Sequence, residues 1–427
     1  MHIILLSGGS GKRLWPLSNN IRSKQFLKVL PSPNGGRESM LQRIVRQIKE
    51  SNLNVDLTIA TSEIQKDIIL SQLGSEINIV TEPQRRDTFP AIAIASEYLI
   101  KEKKNDDSEV IIVMPCDTFV EASYFDTIKE MVSFVEQDIA DIILLGIHPT
   151  CPSSKYGYLI PSSNPHLLDK FTEKPNFKEA QKLIEKGALW NAGVFGFRTS
   201  FIRQKIEKYL KTSDFNTFRK RYSDLPKISF DYEVVEKSKS IGVVRYFGEW
   251  HDLGTWNSLS KKTGGYNKGN VILHDCINTT VFNDLNIPIV SQSTHDLIIA
   301  ASADGILVSD KEKSENIKEV VDSIEYTNPR YVETSWGDFK TIDELKNTNN
   351  QKVTTKMLSI NLGECIYSQC HCTQKIILTI IGGKGLVYIK DKEFKVKCGD
   401  TIVVPLNETY SIEAKTKMKI ISIEINS

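Results

Sequence analysis

No apolar run in this 427-residue chain reaches the ~18 residues that a bilayer-spanning helix needs. The opening MHIILLSGG is too short an apolar run for a signal peptide, and no basic segment or cleavage site flanks it. The chain is therefore expected in the cytosol, away from membranes. An excess of one charge is also lacking. Lys and Arg total 54 and Asp and Glu 53, for a net charge of +1. That balance excludes a nucleic-acid binder held by a broad basic field, though it leaves room for a local basic pocket. Cysteine is scarce, with seven residues, an odd number and no CxxC pair, so a disulfide framework is not expected. No tandem repeat at a helical-solenoid period and no low-complexity tract is present.

The length predicts two or three domains. Through residue 265, short apolar runs alternate with longer amphipathic ones. Strands are expected at 2–7, 55–61, 110–115 and 141–146, and helices at 39–51, 62–73, 90–104, 124–137 and 177–187. Near-continuous apolar strands between helices point to an α/β fold with a mostly parallel sheet covered on both faces. Ligands then sit beyond the carboxyl ends of the strands. The turn-rich stretch 263–270 breaks the pattern. A β-rich extension is expected over 266–330, a linker over 331–352 and a third, all-β block over 353–427.

The first strand runs into Ser7-Gly8-Gly9-Ser10-Gly11-Lys12-Arg13. Glycines 8, 9 and 11 let backbone N–H groups cradle a phosphate or base, and they equally suit a plain tight turn. A Walker A loop fails because Leu6 stands where its first Gly is needed, and a dinucleotide fingerprint fails at Leu14. Arg13 and Lys24 are the cations near this turn. They suit a polyphosphate, or they are two solvated charges on a loop.

The continuation narrows the reading. GGSGKRLWPLS, followed by Lys24-Gln25-Phe26-Leu27, resembles the signature of the sugar-nucleotide pyrophosphorylases, specifically the mannose-1-phosphate guanylyltransferases. Ser23 stands where that family usually has Pro. Glu82 through Ala91 resembles the family's EPxxRNTAPA segment, with Asp87 in place of Asn. Thr88 and Pro90 also suit a helix start there. Cys116-Asp117 resembles the PADH segment, and Trp250 through Trp256 resembles WSDVGSW. Further similarities lie in Tyr156-Gly157-Tyr158 (YGYI), Phe171 through Pro175 (FxEKP), Trp190 through Phe195 (WNSGMF) and Asp231-Tyr232-Glu233 (IDYAVME).

The resemblance implies a Rossmann-like nucleotidyltransferase domain over 1–265, a short β-helix-like extension and a small cupin-like block. It implies in-line attack of mannose 1-phosphate on the α-phosphorus of GTP, giving GDP-mannose and pyrophosphate. Gly8, Gly9, Gly11, Arg13, Lys24, Glu82, Arg86, Asp87 and Thr88 would hold the nucleotide. Tyr156, Gly157, Glu173, Lys174, Asn191, Gly193 and Asp231 would hold the sugar phosphate. Asp117 and Asp252 would hold Mg²⁺ or another divalent cation. His251 is read as a neighbour rather than a ligand. Another base, another hexose or a manno-heptose 1-phosphate remain alternatives, as does a non-catalytic sugar-nucleotide sensor.

The C-terminal block is similar to the mannose-6-phosphate isomerase domain that longer bacterial members carry. The family's QxHHHRxEHW metal motif reads here as Gln369-Cys370-His371-Cys372-Thr373-Gln374-Lys375-Ile376, so one His aligns and Ile376 replaces the acidic ligand. On a strand Cys370 and Cys372 would share a face and His371 would oppose it, which favours small buried thiols over a metal site. The block is expected to be a structural or homo-oligomerising cap rather than a second enzyme.

Overall fold

The structure is a computed structural model. It describes residues 1–9, 11–265, 267–324, 328–346, 351–367, 374–390 and 392–426. Two compact units are present. The first combines Met1–Gly9, Lys28–Lys66 and Ser75–Gly254, and the second combines Ser10–Leu27, Asp67–Gly74 and Thr255–Ser427.

In the first unit, β1 (His2–Ser7) is followed by a short hairpin of β2 (Leu30–Pro31) and β3 (Arg37–Glu38). Strands β4 (Asp56–Ser62), β5 (Asn78–Glu82) and β6 (Val110–Pro115) join β1 in parallel, in the order β6-β1-β4-β5. The apolar runs of β1 and β6 are buried on both faces, as a covered parallel sheet requires. After the three-residue β7 (Thr118–Val120) come β8 (Ile142–Ile147), β9 (Tyr158–Pro161), β10 (Leu168–Thr172), β11 (Leu189–Arg198) and β12 (Ile241–Tyr246). The sheet is mixed rather than wholly parallel, because β11 runs antiparallel to β6, β8 and β9. A separate two-strand ladder pairs β7 with β13 (Trp250–Asp252). Helix Thr88–Lys101 is apolar nearly all round, and its Phe89, Ile92 and Leu99 enter the core of this sheet.

The second unit begins its β-structure with β14 (Val271–His274), β15 (Thr280–Asn283), β16 (Ile289–Gln292), β17 (Leu297–Ser302) and β18 (Gly305–Asp310). Val271 pairs in parallel with Ile289, and Thr280 with Ile298. Both pairings are offset by 18 residues (289 − 271 and 298 − 280), the constant repeat of a short β-solenoid coil.

Residues 331–346 differ from the expected linker. They form β19 (Tyr331–Thr334) and β20 (Gly337–Lys346), which pair with each other and with β21 (Lys352–Ile360). Their weak apolar patterning reflects strands with one largely polar face. Strands β22 (Cys365–Tyr367), β23 (Gln374–Gly382), β24 (Lys384–Ile389), β25 (Lys392–Lys397), β26 (Thr401–Val404), β27 (Tyr410–Ala414) and β28 (Met418–Asn426) complete two antiparallel sheets of six and four strands. Leu358, Leu378, Val387, Ile412 and Ile420 fill one core from both sheets, as the cupin-like expectation requires. Cys116, Cys151, Cys276, Cys365 and Cys398 are free thiols. Cys370, His371 and Cys372 lie outside the described residues. Among the described residues no helix is long and apolar enough to cross a membrane.

Candidate active site

In the first unit the candidate residues stand at strand ends. Asp117 lies two residues beyond the end of β6 and directly precedes β7. Asp252, the last residue of β13, pairs with Thr118. The antiparallel ladder thus brings Asp252 to within one register step of Asp117. Both residues are partly exposed, and carboxylates are hard-oxygen donors of the kind Mg²⁺ prefers. Among the described residues, no group of three or more His, Cys, Asp or Glu could hold a metal by itself. Any further ligands would come from phosphate oxygens or water. His251 hydrogen-bonds Glu249 at 3.0 Å, so its ring is engaged beside the ladder.

A second cluster gathers the expected sugar-side residues. Asn191 Nδ2 donates to Asp231 Oδ1 at 2.8 Å, and Asn191 Oδ1 accepts from Gly193 N at 3.0 Å. The Asn191 backbone N–H donates to the Gly157 carbonyl at 2.8 Å. Gly157 leaves room for its neighbours, because a Cβ there would stand 2.5 Å from Glu173 Oε2 and 2.8 Å from the Phe171 ring. Glu173 is buried and forms an ion pair with the half-exposed Lys174. Burial, reinforced by the nearby Glu173 charge, pushes the Asp231 carboxyl up to about 7. Lys174 is partly desolvated, yet its contact with Glu173 keeps its pKa above the usual lysine value. Asp231 opens a single π-helical turn, Asp231–Val235, a distortion that recurs at functional sites.

Two tryptophans that open family-like segments, Trp190 and Trp250, carry no role in the sequence but both meet Tyr156 in the structure. The Tyr156 ring lies 4.7 Å from Trp190 and 5.6 Å from Trp250 between ring centroids. Both indole N–H groups are buried without a hydrogen-bond partner among the described residues, as are Thr118 Oγ1 and Thr172 Oγ1. Trp190, Thr118 and Thr172 adjoin an expected site residue in sequence, and Trp250 lies two positions from Asp252. Unsatisfied buried polar atoms are rare and call for a water or ligand to complete them.

The nucleotide-side residues divide. Glu82 is buried, accepts from the Tyr222 hydroxyl at 2.6 Å, and burial raises its carboxyl to about 6. Arg86 donates to the Leu225 carbonyl at 2.8 Å. Asp87, at φ 75°, caps the helix by accepting from Thr88 N at 2.8 Å, while Thr88 Oγ1 accepts from Phe230 N at 2.8 Å. These contacts build the loop itself, while Arg86 Nε is buried without a hydrogen-bond partner among the described residues. A Cβ on Gly8 or Gly9 would meet nothing within 4 Å, so open space faces the backbone there.

Arg13, Lys24 and Gly11 belong to the second unit. Arg13 is exposed, and Lys24 opens the single turn Lys24–Phe26. Gly11 serves the fold, since at φ 65° its Cβ would collide with the Asn19 carbonyl at 1.9 Å.

A nucleotidyl transferase family model matches residues 2–268. The chain is 27% identical to Mannose-1-phosphate guanylyltransferase 2 of Escherichia coli O157:H7, over 99% of this chain and 94% of that one. It is 28% identical to the xanthan biosynthesis protein XanB of Xanthomonas campestris, over 99% and 95%. A crystal structure of a mannose-1-phosphate geranyltransferase from Thermus thermophilus superposes with a TM-score of 0.64 at 26% identity, covering 76% of this chain and 99% of that one. The family match spans well over half of the chain and takes in the whole mixed sheet with its strand-end carboxylates, so this protein belongs to the nucleotidyl transferase family.

Proposed function

We propose that the chain joins GTP and mannose 1-phosphate to give GDP-mannose and pyrophosphate. The observation that carries this reading is the near end-to-end match with a relative named mannose-1-phosphate guanylyltransferase. The sugar-phosphate oxygen attacks the α-phosphorus in line. A new P–O bond forms, the bond to the bridging oxygen of the β-phosphate breaks, and pyrophosphate leaves with that electron pair. The attacking oxygen is already anionic, so the chain needs no general base or covalent nucleophile. Positioning and charge neutralisation supply the catalysis.

In this reading Lys174 binds the sugar phosphate, while Glu173, Asn191 and Asp231 accept from or donate to sugar hydroxyls. Gly8 and Gly9 offer backbone N–H groups to the nucleotide, and Arg13 and Lys24 neutralise the triphosphate. Asp117 and Asp252 would hold a divalent cation, with Mg²⁺ the natural choice for two carboxylates. Such an ion stabilises charge on the transferring phosphoryl group. The protein works in the cytosol, and its C-terminal β-domain is a structural cap through which copies can associate.

Pyrophosphate release, measured across a matrix of nucleoside triphosphates and sugar 1-phosphates in Mg²⁺, tests the proposal. GTP with mannose 1-phosphate should give the highest kcat/KM. A clear preference for another base, or for a heptose 1-phosphate, would replace the substrates and keep the chemistry. Nucleotide binding without turnover of any pair would refute the transferase reading.

A further inference from the structure

Lys24 is flanked on both sides by contacts that lead to one carboxylate, Glu333 on β19. Two residues before Lys24, the buried Arg22 guanidinium lies 3.4 Å from Glu333 Oε1 and 3.3 Å from Asp284 Oδ2. It also stacks over the Tyr331 ring at 5.1 Å. Two residues after Lys24, the Phe26 carbonyl accepts from Gln72 Nε2 at 2.9 Å. The same amide donates to Glu333 Oε2 at 3.4 Å. One oxygen of Glu333 therefore serves each flank of the Lys24 turn. Glu333 itself is 6% exposed. The Asn19 amide fixes the approach to Arg22. Its oxygen accepts from Ile21 N at 3.0 Å and Arg22 N at 2.8 Å, and its nitrogen donates to Asp304 Oδ2 at 2.9 Å. All these residues lie in the second unit.

The expected chemistry uses none of Arg22, Gln72 or Glu333. A plain loop-to-domain contact would be satisfied by apolar packing, which avoids the cost of burying charge. What the buried Arg22–Glu333 ion pair, together with the hydrogen bonds of Arg22 to Asp284 and of Gln72 to Phe26 and Glu333, adds is a fixed geometry. A lysine reaches its phosphate on a flexible four-carbon stem, so the place of its ammonium depends on how firmly the backbone below is held.

We propose that Glu333, acting through Arg22 and Gln72, is a positioning residue for Lys24, so that the first strand of the C-terminal β-domain sets the geometry of the phosphate-binding turn. The proposal deepens the nucleotidyl-transfer reading and rests on it. It gives the C-terminal domain a part in turnover although the domain contributes no group to the chemistry.

The test uses the full chain, with pyrophosphate release from GTP and mannose 1-phosphate followed beside thermal unfolding. The variants are Glu333→Gln, Arg22→Met and Arg22→Lys. Glu333→Gln keeps shape and the contact with Gln72 but removes the charge facing Arg22. It should unfold cooperatively and lose about 10- to 100-fold in kcat, the scale of an ångström-sized misplacement. The KM for mannose 1-phosphate should stay within about twofold, because the sugar-side residues are untouched. Arg22→Lys should recover activity that Arg22→Met loses. Folded Glu333→Gln with wild-type kcat would overturn the proposal, even if Arg22→Met fails to fold. So would equal loss in Arg22→Lys and Arg22→Met. If active wild-type protein accompanies unaffected variants, only the positioning role fails. Wild-type protein that turns over no substrate pair overturns the transfer reading and the positioning role together.

Discussion

Asp252 and Asp117 lie one register step apart, although 135 residues separate them in sequence (252 − 117), because the β7–β13 ladder sets Asp252 opposite Thr118. In the proposed reading these two carboxylates hold the divalent cation. Asp117→Ala or Asp252→Ala should therefore reduce turnover to near background, while thermal unfolding changes little for these partly exposed side chains. Steady-state rates across a Mg²⁺ titration check this. Wild-type activity in either variant at saturating Mg²⁺ would remove both residues from metal binding.

The chain showed this site only in part. The runs 2–7 and 110–115 read as strands because burial on both faces leaves no polar alternation to blur them, and they are β1 and β6. The β7–β13 ladder was not legible, since two three-residue strands carry no periodicity and their pairing is a long-range event. The family resemblance alone linked Asp117 with Asp252. Arg22 gives no signal in the sequence, because a buried guanidinium is recognisable only beside Asp284 and Glu333, which folding brings to it. Residues 331–346 passed as a linker for the same reason, with Glu333 and Thr341 buried by tertiary contacts rather than by an apolar pattern. Arg86, Asp87 and Thr88 match the family segment, and the contacts by which they also hold the loop and cap a helix carry no sequence signal beyond the helix start at Thr88 and Pro90.

Asp231 should impose a pH dependence on stability. Its carboxyl is raised from an ordinary 3.8 to about 7 by burial and by Glu173. Between those values the unfolded chain has released this proton and the folded chain has kept it. Stability from this group is thus full below pH 3.8, is lost as pH rises, and is gone above about 7. The span caps the effect at roughly 4 kcal/mol. Urea unfolding of Asp231→Asn should show a flatter pH dependence than wild type over this range, with the two curves diverging as pH falls. Parallel curves would contradict the assignment.

The Tyr222 hydroxyl is the donor that holds Glu82. Tyr222→Phe removes it and leaves a buried carboxylate short of a hydrogen bond, at a cost of about 1–3 kcal/mol. Losing that bond disfavours the charged form, so the Glu82 pKa should climb beyond its present value of about 6. The destabilisation should accordingly be larger at neutral pH than in mild acid. Denaturant midpoints for wild type and Tyr222→Phe at both conditions give the answer, and an equal loss at both would separate Tyr222 from the ionisation of Glu82.

Gly157 offers a test of the sugar side that leaves every charged group in place. A Cβ there would stand 2.5 Å from Glu173 Oε2 and 2.8 Å from the Phe171 ring. The ring is packed in the core, so Glu173 is the side that can yield. Moving Glu173 also disturbs its ion pair with Lys174 and the field that it exerts on Asp231. Gly157→Ala should therefore weaken sugar-phosphate binding more than nucleotide binding. The KM for mannose 1-phosphate should rise about tenfold or more, with a stability loss of about 1–3 kcal/mol from overpacking. The KM for GTP should stay nearly constant, because Gly8, Gly9 and Glu82 are untouched. A matched rise in both KM values would mean that the added methyl acts by loosening the fold, and Glu173 would lose its place as a sugar-side contact.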